Sequence, residues 1–401
     1  MKVNNWLRKT SRWLILLSCL YLTGCWDMVE VNQLAIVNFI GVDRDPESGK
    51  YSVYFQIVNP SGLAAQKSPG TIAPIYTYRI DTTNTMDPMN KMLDLIPRKP
   101  FFDHYQALVV TERMARWGLV EQLNFLEKQP DRRSTINLIV TDSSIEDIMQ
   151  TYLPLEKMSG RAIRSIINNQ AAFSGKASKK SMVKSLVDNL ENTGLTAHPL
   201  ISLASKDVTS SATRYQKIDA NKGNFILKGG ALFKQGIMIG KLTSDEMPWF
   251  NLMSGDIDVL IQSLTVNGKG VEIRSDKLEV RKKLVMQDGR PVLKLHVEAG
   301  LHITGNNQSE KLTGDNLDQI TSAFNRQVSE QSEEFFEKGK QHGWDVAGIE
   351  DTINRKRGQE WKTAKQDKNQ WRLTKLEITV SSTIKTVGIT IDPYVDKKEQ
   401  P

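Results

Sequence analysis

An apolar run that stops too soon limits every later reading of this chain. Trp13 to Leu22 is ten residues long, follows a basic leader of Lys2, Arg8, Lys9 and Arg12, and gives way to Thr23, Gly24 and Cys25. A helix needs about 20 apolar residues to cross the hydrocarbon core of a bilayer, so this run has the length of a secretory h-region and not of a span. Leu22, Thr23, Gly24 and Cys25 fit a bacterial lipobox, in which an aliphatic and two small residues precede a cysteine. The small residues let the peptide thread a protease cleft, and the thiol is the one soft nucleophile nearby that a diacylglyceryl group can alkylate. Cleavage is then expected between Gly24 and Cys25, with residues 1–24 as the signal peptide. An ordinary signal peptide with an incidental cysteine, or a buried core helix, would account for part of the pattern. Charge, length, small residues and cysteine together favour the lipobox.

The consequence reaches the whole fold. Loss of residues 1–24 removes Cys19 and leaves Cys25 as the sole cysteine, so neither a disulfide nor a cysteine-based metal site can form within one chain. About 377 residues must hold together by their cores, enough for two or three. Two acyl chains on Cys25 would anchor the protein stably, where one would hold it only marginally. No other stretch approaches the length of a span; the most apolar, Leu34 to Val42, is broken by Asn38 and suits a strand. The leader also accounts for much of the chain's basicity. Of 53 basic residues against 46 acidic, four lie in it, and the remaining balance gives no reason to propose nucleic-acid binding.

Beyond the leader, strand-like and helix-like patterns alternate, which points to an α+β fold of mixed sheets. Leu34–Val42 and Tyr51–Val58 read as a hairpin around "VDRDPESGKY", and Tyr76–Ile80, Tyr105–Thr111 and Ile136–Thr141 as further strands. Helices are expected over 86–96, 112–128 and 143–153, and over 160–194 with "SGKASKK" as an exposed interruption. These elements make an N-terminal α/β domain over 25–200. A strand pair and a short helix capped by Thr243 or Ser244 suggest a small middle domain over 215–270. A C-terminal α+β domain over 271–395 follows, with alternating strands, an amphipathic helix on Leu317, Ile320, Phe324, Val328 and Phe335, and a last strand near Leu373–Ile391.

Candidate chemistry is sparse. Ser181 and Lys184 have the Ser-x-x-Lys spacing of penicillin-recognising enzymes, but the Lys-Thr-Gly strand and Ser-x-Asn element that go with it are missing, so an amphipathic helix edge is the better account. Asp43, Asp45 and Glu47 begin like a calcium loop, yet Ser48 and Tyr54 stand where glycine and glutamate belong, and turn chemistry explains them better. His296 and His302 share a strand face, but six residues at about 3.3 Å each set them roughly 20 Å apart, too far to hold one ion. His104, His198 and His342 stand alone. "SGKAS" resembles part of a phosphate loop, except that Gln170 replaces its first glycine. The basic stretch 354–371 carries Trp361 and Trp371, expected to cover the core. No catalytic, cofactor-binding or metal site assembles.

Four passages carry a family resemblance. "GCWDMVEVNQLAIVNFIGVDRD" with "YSVYFQIVNPSG", then "LIPRKPFFDHYQALVVTE", "GGALFKQGIMIGKLTSDE" and "HGWDVAGIEDTINRKRGQEWKTAKQDKNQW" resemble, in order, the C-subunit lipoproteins of bacterial spore germinant receptors, the Ger(x)C family. "MVEVNQ" departs from the expected Arg-Glu-Leu-Asn, which leaves Val29 in place of a basic residue. The resemblance implies three domains of mixed β-sheets wrapped by α-helices and a non-enzymatic lipoprotein with no cofactor. It implies a diacylglyceryl, palmitate-bearing Cys25 on the extracytoplasmic face of the cell or spore inner membrane. It also implies two integral-membrane partners, a multi-span A subunit and a transporter-like B subunit, in a receptor that triggers germination on sensing nutrients such as amino acids or sugars. The alternative reading is a lipid-anchored solute-binding protein of a transporter, with two α/β lobes about a cleft.

Overall fold

The computed structural model describes residue 13 and residues 30–64, 72–84, 87–127, 135–205, 210–211, 213–214, 218–308, 312–367 and 369–388. Cys25, the lipobox around it, the basic leader and all of the apolar run but Trp13 lie outside these residues. The fold is α+β, with two sheets of unequal size.

The first part of the chain runs β1 (Leu34–Arg44), β2 (Tyr51–Val58), α1 (Pro60–Ala64), β3 (Ile75–Thr82), α2 (Pro88–Leu95) and β4 (Lys99–Phe101). It continues with β5 (Ala107–Thr111), α3 (Glu112–Trp117), α4 (Val120–Glu127), β6 (Asn137–Thr141), α5 (Ile145–Gln150), α6 (Ser159–Phe173), α7 (Val183–Asp188), β7 (Leu195–Leu203), β8 (Phe225–Lys234) and β9 (Ile237–Thr243). These strands form one nine-stranded sheet, ordered β3-β2-β1-β5-β6-β7-β8-β9, with β4 on β1. β1, β5, β6 and β7 are mutually parallel, and antiparallel pairs flank them on both sides. Every residue of β5 and β6 is buried. Parallel strands covered on both faces need such continuous apolar runs, and "ALVVT" and "NLIVT" supply them. Leu108, Val110, Leu138 and Val140 pack with Met92 of α2, Met114 of α3 and Leu186 of α7. On the opposite face Val109 and Ile139 pack with Ile148 of α5 and with Ile163 and Ile167 of α6. Burying each such side chain fully contributes about 1.5–3 kcal/mol. The expected helix over 112–128 is broken at Gly118, whose φ of 120° ends α3.

The second part holds α8 (Met247–Ser254), β10 (Leu260–Val266), β11 (Lys269–Gln287), β12 (Arg290–Asn306), α9 (Gly314–His342), α10 (Ile349–Arg355), α11 (Lys362–Gln366) and β13 (Lys375–Thr386). β10 to β13 make a four-stranded sheet in sequence order, with β13 parallel to β12. α9 begins where the Thr313 hydroxyl accepts the Asn316 N–H and ends at left-handed Gly343. Its buried stripe of Ile320, Phe324, Val328 and Phe335 lies over the sheet, as the spacing predicts.

The segment 215–270, expected as a middle unit, has no sheet of its own among the described residues. β8 and β9 extend the first sheet and β10 begins the second. Between them α8 buries every residue from Met247 to Met253, as a helix apolar all round must. Its core is continuous with Leu232 and Leu242 on one side and with Leu264, Leu295 and Phe324 on the other.

Candidate functional site

Three strands of the parallel centre end side by side, and each turns from apolar to polar at its carboxyl end. β1 reaches Asp43, β5 reaches Thr111 and β6 reaches Thr141, with Asp142 next in the chain. An open cleft of about 730 Å³ lies there, lined by Asp43, Lys50, Arg79, Arg113, Asp142 and Glu146 among others. This is the position where open α/β sheets expose their loops to ligands.

Asp43 is the buried hub of the cleft. Its Oδ1 accepts the Thr111 hydroxyl at 2.5 Å and the Arg113 Nε–H at 2.8 Å, and its Oδ2 accepts the Arg113 Nη2. The hydrogen bond to Asp43 raises the Arg113 pKa above the ordinary arginine value, against burial. Thr111 has a second role, since its Oγ1 accepts the Met114 N–H and caps α3. One carboxylate therefore joins two strand ends, holds a helix start and aims a guanidinium that remains half exposed. Across the cleft Arg79 donates through Nε to Asp81 at 3.0 Å and through Nη2 to the Ser52 hydroxyl at 3.3 Å, and lies 3.8 Å from Glu146. Burial pushes the Asp81 carboxyl up, but the Ser52 hydroxyl and Arg79 together hold it below its ordinary value. Asp45 closes the β1–β2 turn, its Oδ1 accepting the N–H groups of Glu47 and Ser48, and these bonds lower its pKa. The result is a rigid lining with charges of both signs, suited to recognising a polar surface. Among the described residues no histidine lines it, and three of its hydroxyls, at Ser48, Ser52 and Thr111, donate to Asp45, Asp81 and Asp43.

The other sequence candidates fall apart in space or settle into the framework. Ser181 is buried, precedes α7 and donates to the Ala197 carbonyl, while Lys184 is exposed and pairs with Asp188 at 3.1 Å. Of the calcium-like trio, Asp43 joins the cleft and Asp45 shapes the turn. His302 bonds the Thr386 hydroxyl through Nδ1 and lies 3.0 Å from Asp276, and His296 bonds Glu298. His198 is fully buried, edge-on to Phe233, with both ring nitrogens unpartnered, and burial drives its pKa down to about 3. Among the described residues, no three His, Cys, Asp or Glu side chains group to hold a metal ion. Trp361 and Trp371 are buried in the core of the second sheet. The cleft itself is not named by any sequence motif; its signal is the polar residue ending each of three apolar strands.

These features define a class first: an α+β protein of two linked sheets with a charged cleft at the carboxyl ends of its parallel strands. Comparison then gives the family. The spore germination protein N-terminal domain matches residues 27–203, and the spore germination B3/GerAC-like C-terminal domain matches residues 228–388. Spore germination protein KC of Bacillus subtilis (strain 168) is 26% identical over 400 residues, covering 95% of this chain and 96% of that protein. Spore germination protein B3 of the same organism is 20% identical over 291 residues, covering 70% of each. The crystal structure of the GerBC protein superposes with a TM-score of 0.54 at 14% identity, covering 86% of this chain and 97% of that one. The chain belongs to the Ger(x)C family of spore germination proteins.

Proposed function

We propose that this protein is a lipid-anchored, non-catalytic subunit of a membrane receptor complex that triggers spore germination in response to nutrients. The observation that carries the reading is the match to spore germination protein KC along nearly the whole of both chains. The lipobox at Leu22–Cys25 supports attachment to the extracytoplasmic face of the cell or spore inner membrane through lipid on Cys25. No helix among the described residues is long and apolar enough to cross a membrane, which leaves spanning to the A and B partner subunits in this reading. A cleft lined by fixed ion pairs of both signs is suited to recognition and coupling. The transporter alternative predicts two α/β lobes, whereas here a four-stranded sheet with one long helix follows the nine-stranded one.

Replacing Cys25 with Ala tests the reading. The variant is expected in the soluble fraction, with the nutrient response of spores strongly reduced. Retention in the membrane fraction together with a normal response would overturn it.

A further inference from the structure

We propose that the groove at the amino-terminal end of β1 lies against the anionic phospholipid headgroups of the membrane, with Arg161 and Arg164 of α6 as its phosphate contacts. The inference rests on the lipid-anchor reading of Cys25 and adds a face and an orientation to it.

The groove, of about 540 Å³, is lined by Ile36, Asn38, His104, Met158, Arg161 and Arg164 among others, and among the described residues no carboxylate lines it. α6 is pressed against β1 at Gly160, where a Cβ would lie 2.7 Å from the Asn38 carbonyl oxygen. That close approach fixes the first turns of α6, so that Arg161 and Arg164, three residues apart, project together from one helix face. Both are exposed. Arg161 lies 3.2 Å from Glu156 and Arg164 donates to Gln106 at 2.7 Å. An arginine has five N–H donors, so each fork keeps others for a phosphate. On the neighbouring flank β4 pairs with Leu34–Ile36, and Arg98 and Lys99 are exposed beside it. Just before them in the chain, Leu93 and Leu95 of α2 are 58% and 54% exposed, and Leu155, ahead of α6, is fully exposed. Among the described residues, Arg98, Lys99, Lys157, Arg161 and Arg164 stand in these segments beside the carboxylates Glu30, Asp94, Asp103 and Glu156. Exposed leucines and basic residues flanking one end of a sheet suit a headgroup layer, where the apolar chains enter the acyl boundary and the cations meet phosphates.

The entry of the chain decides which end of the molecule this is. Glu30 and the single turn Val31–Gln33 lead into β1 at Leu34, beside Lys99 of β4. From Cys25 to Glu30 the contour is at most about 18 Å. β1 itself spans roughly 36 Å, and the charged cleft stands at its far end. A lipid on Cys25 thus holds the basic groove at the bilayer and turns the cleft outward.

The test uses the mature, lipidated full-length chain, whose Cys25 sulfur is blocked, so that one introduced cysteine takes a fluorophore. The label is placed at Asn168→Cys, on the groove, or at Gln287→Cys, at the tip of the β11–β12 hairpin. The protein is floated with phosphatidylcholine vesicles with or without phosphatidylglycerol, carrying headgroup nitroxides as quenchers. The label at 168 should be quenched well beyond that at 287, and only when phosphatidylglycerol is present. Arg161→Gln with Arg164→Gln should weaken this preference by about fivefold per arginine. About 0.5 M salt should weaken it in the unsubstituted protein, which shows the effect without any loss of fold. Equal quenching at the two positions, equal quenching in the two lipids, or indifference to both arginine loss and salt would overturn the proposal while flotation upheld the anchor. A chain that does not float removes the anchor reading and this inference with it.

Discussion

Glu246 ties the connecting helix to the long one. The Thr243 N–H donates to Glu246 Oε2 at 2.8 Å, the Glu246 N–H donates back to the Thr243 hydroxyl at 3.3 Å, and Lys338 of α9 donates to Oε1. This reciprocal pair closes the turn between β9 and α8, whose N-cap is Glu246 itself and makes no side-chain cap bond. "TSDE" marks the turn in the sequence, but the expected cap at Thr243 or Ser244 falls short of the helix, which starts one turn later at Met247. His198 is the opposite case. β7 is buried at every position from Ala197 to Ser202, so no alternation marks the histidine as an inward residue, and only tertiary packing seals its nitrogens from water. Glu246 also carries a pH dependence. Burial pushes its carboxyl up, but Lys338 and the Thr243 N–H and hydroxyl together hold it below the ordinary 4.5. A depressed carboxylate contributes stability that is present above the unfolded pKa and lost as pH falls through the folded one. Glu246→Gln should therefore cost about 1 kcal/mol at neutral pH. In urea titrations its gap from the parent should close as pH drops below the ordinary carboxylate value. A gap that stays constant from pH 7 down to about 3 would show that the ionised form is not what matters.

At the scale of elements, the amphipathic patterns mark most strands and helices but not where they meet. The alternation of Ile237–Thr243 identifies β9, and its inward positions are indeed buried. Nothing local shows that Gly240 is the landing site of Trp344, where a Cβ would fall 2.3 Å from the indole Cζ2. Trp344 follows the left-handed end of α9 at Gly343, so this contact docks the second unit's long helix on the outermost strand of the first sheet. "HGWDVAG" is visible in the sequence as a helix terminus; its partner surface, far away along the chain, is not. Gly240→Val should displace the indole and destabilise the protein by about 1–3 kcal/mol, the usual cost of overpacking. A shifted tryptophan emission spectrum and a lower urea midpoint are the expected readouts. A variant matching the parent in both would mean that Trp344 does not bear on this strand in solution.

On the scale of the whole molecule, sheet order is what composition and periodicity leave open. The strands of 225–243 read as a local pair, yet they complete a sheet begun at Leu34, because pairing joins segments that no short-range pattern relates. The charged cleft shares this origin. Asp43, Thr111 and Thr141 are far apart in sequence and become neighbours only when β1, β5 and β6 align in parallel register. The α8 plug then makes the two sheets one mechanical object, since its buried residues belong to a core that runs through both sides. Leu252 is fully buried at the centre of that plug. Truncating it to Ala should cost about 2–5 kcal/mol through lost contacts and the cavity left behind. Because the core is continuous, hydrogen exchange should accelerate together in β8 of the first sheet and β12 of the second, and unfolding should remain a single transition. Acceleration confined to one sheet, or two separated transitions, would mean that the sheets are stable independently. A ligand or membrane contact at one of them would then have no route through this core to the other.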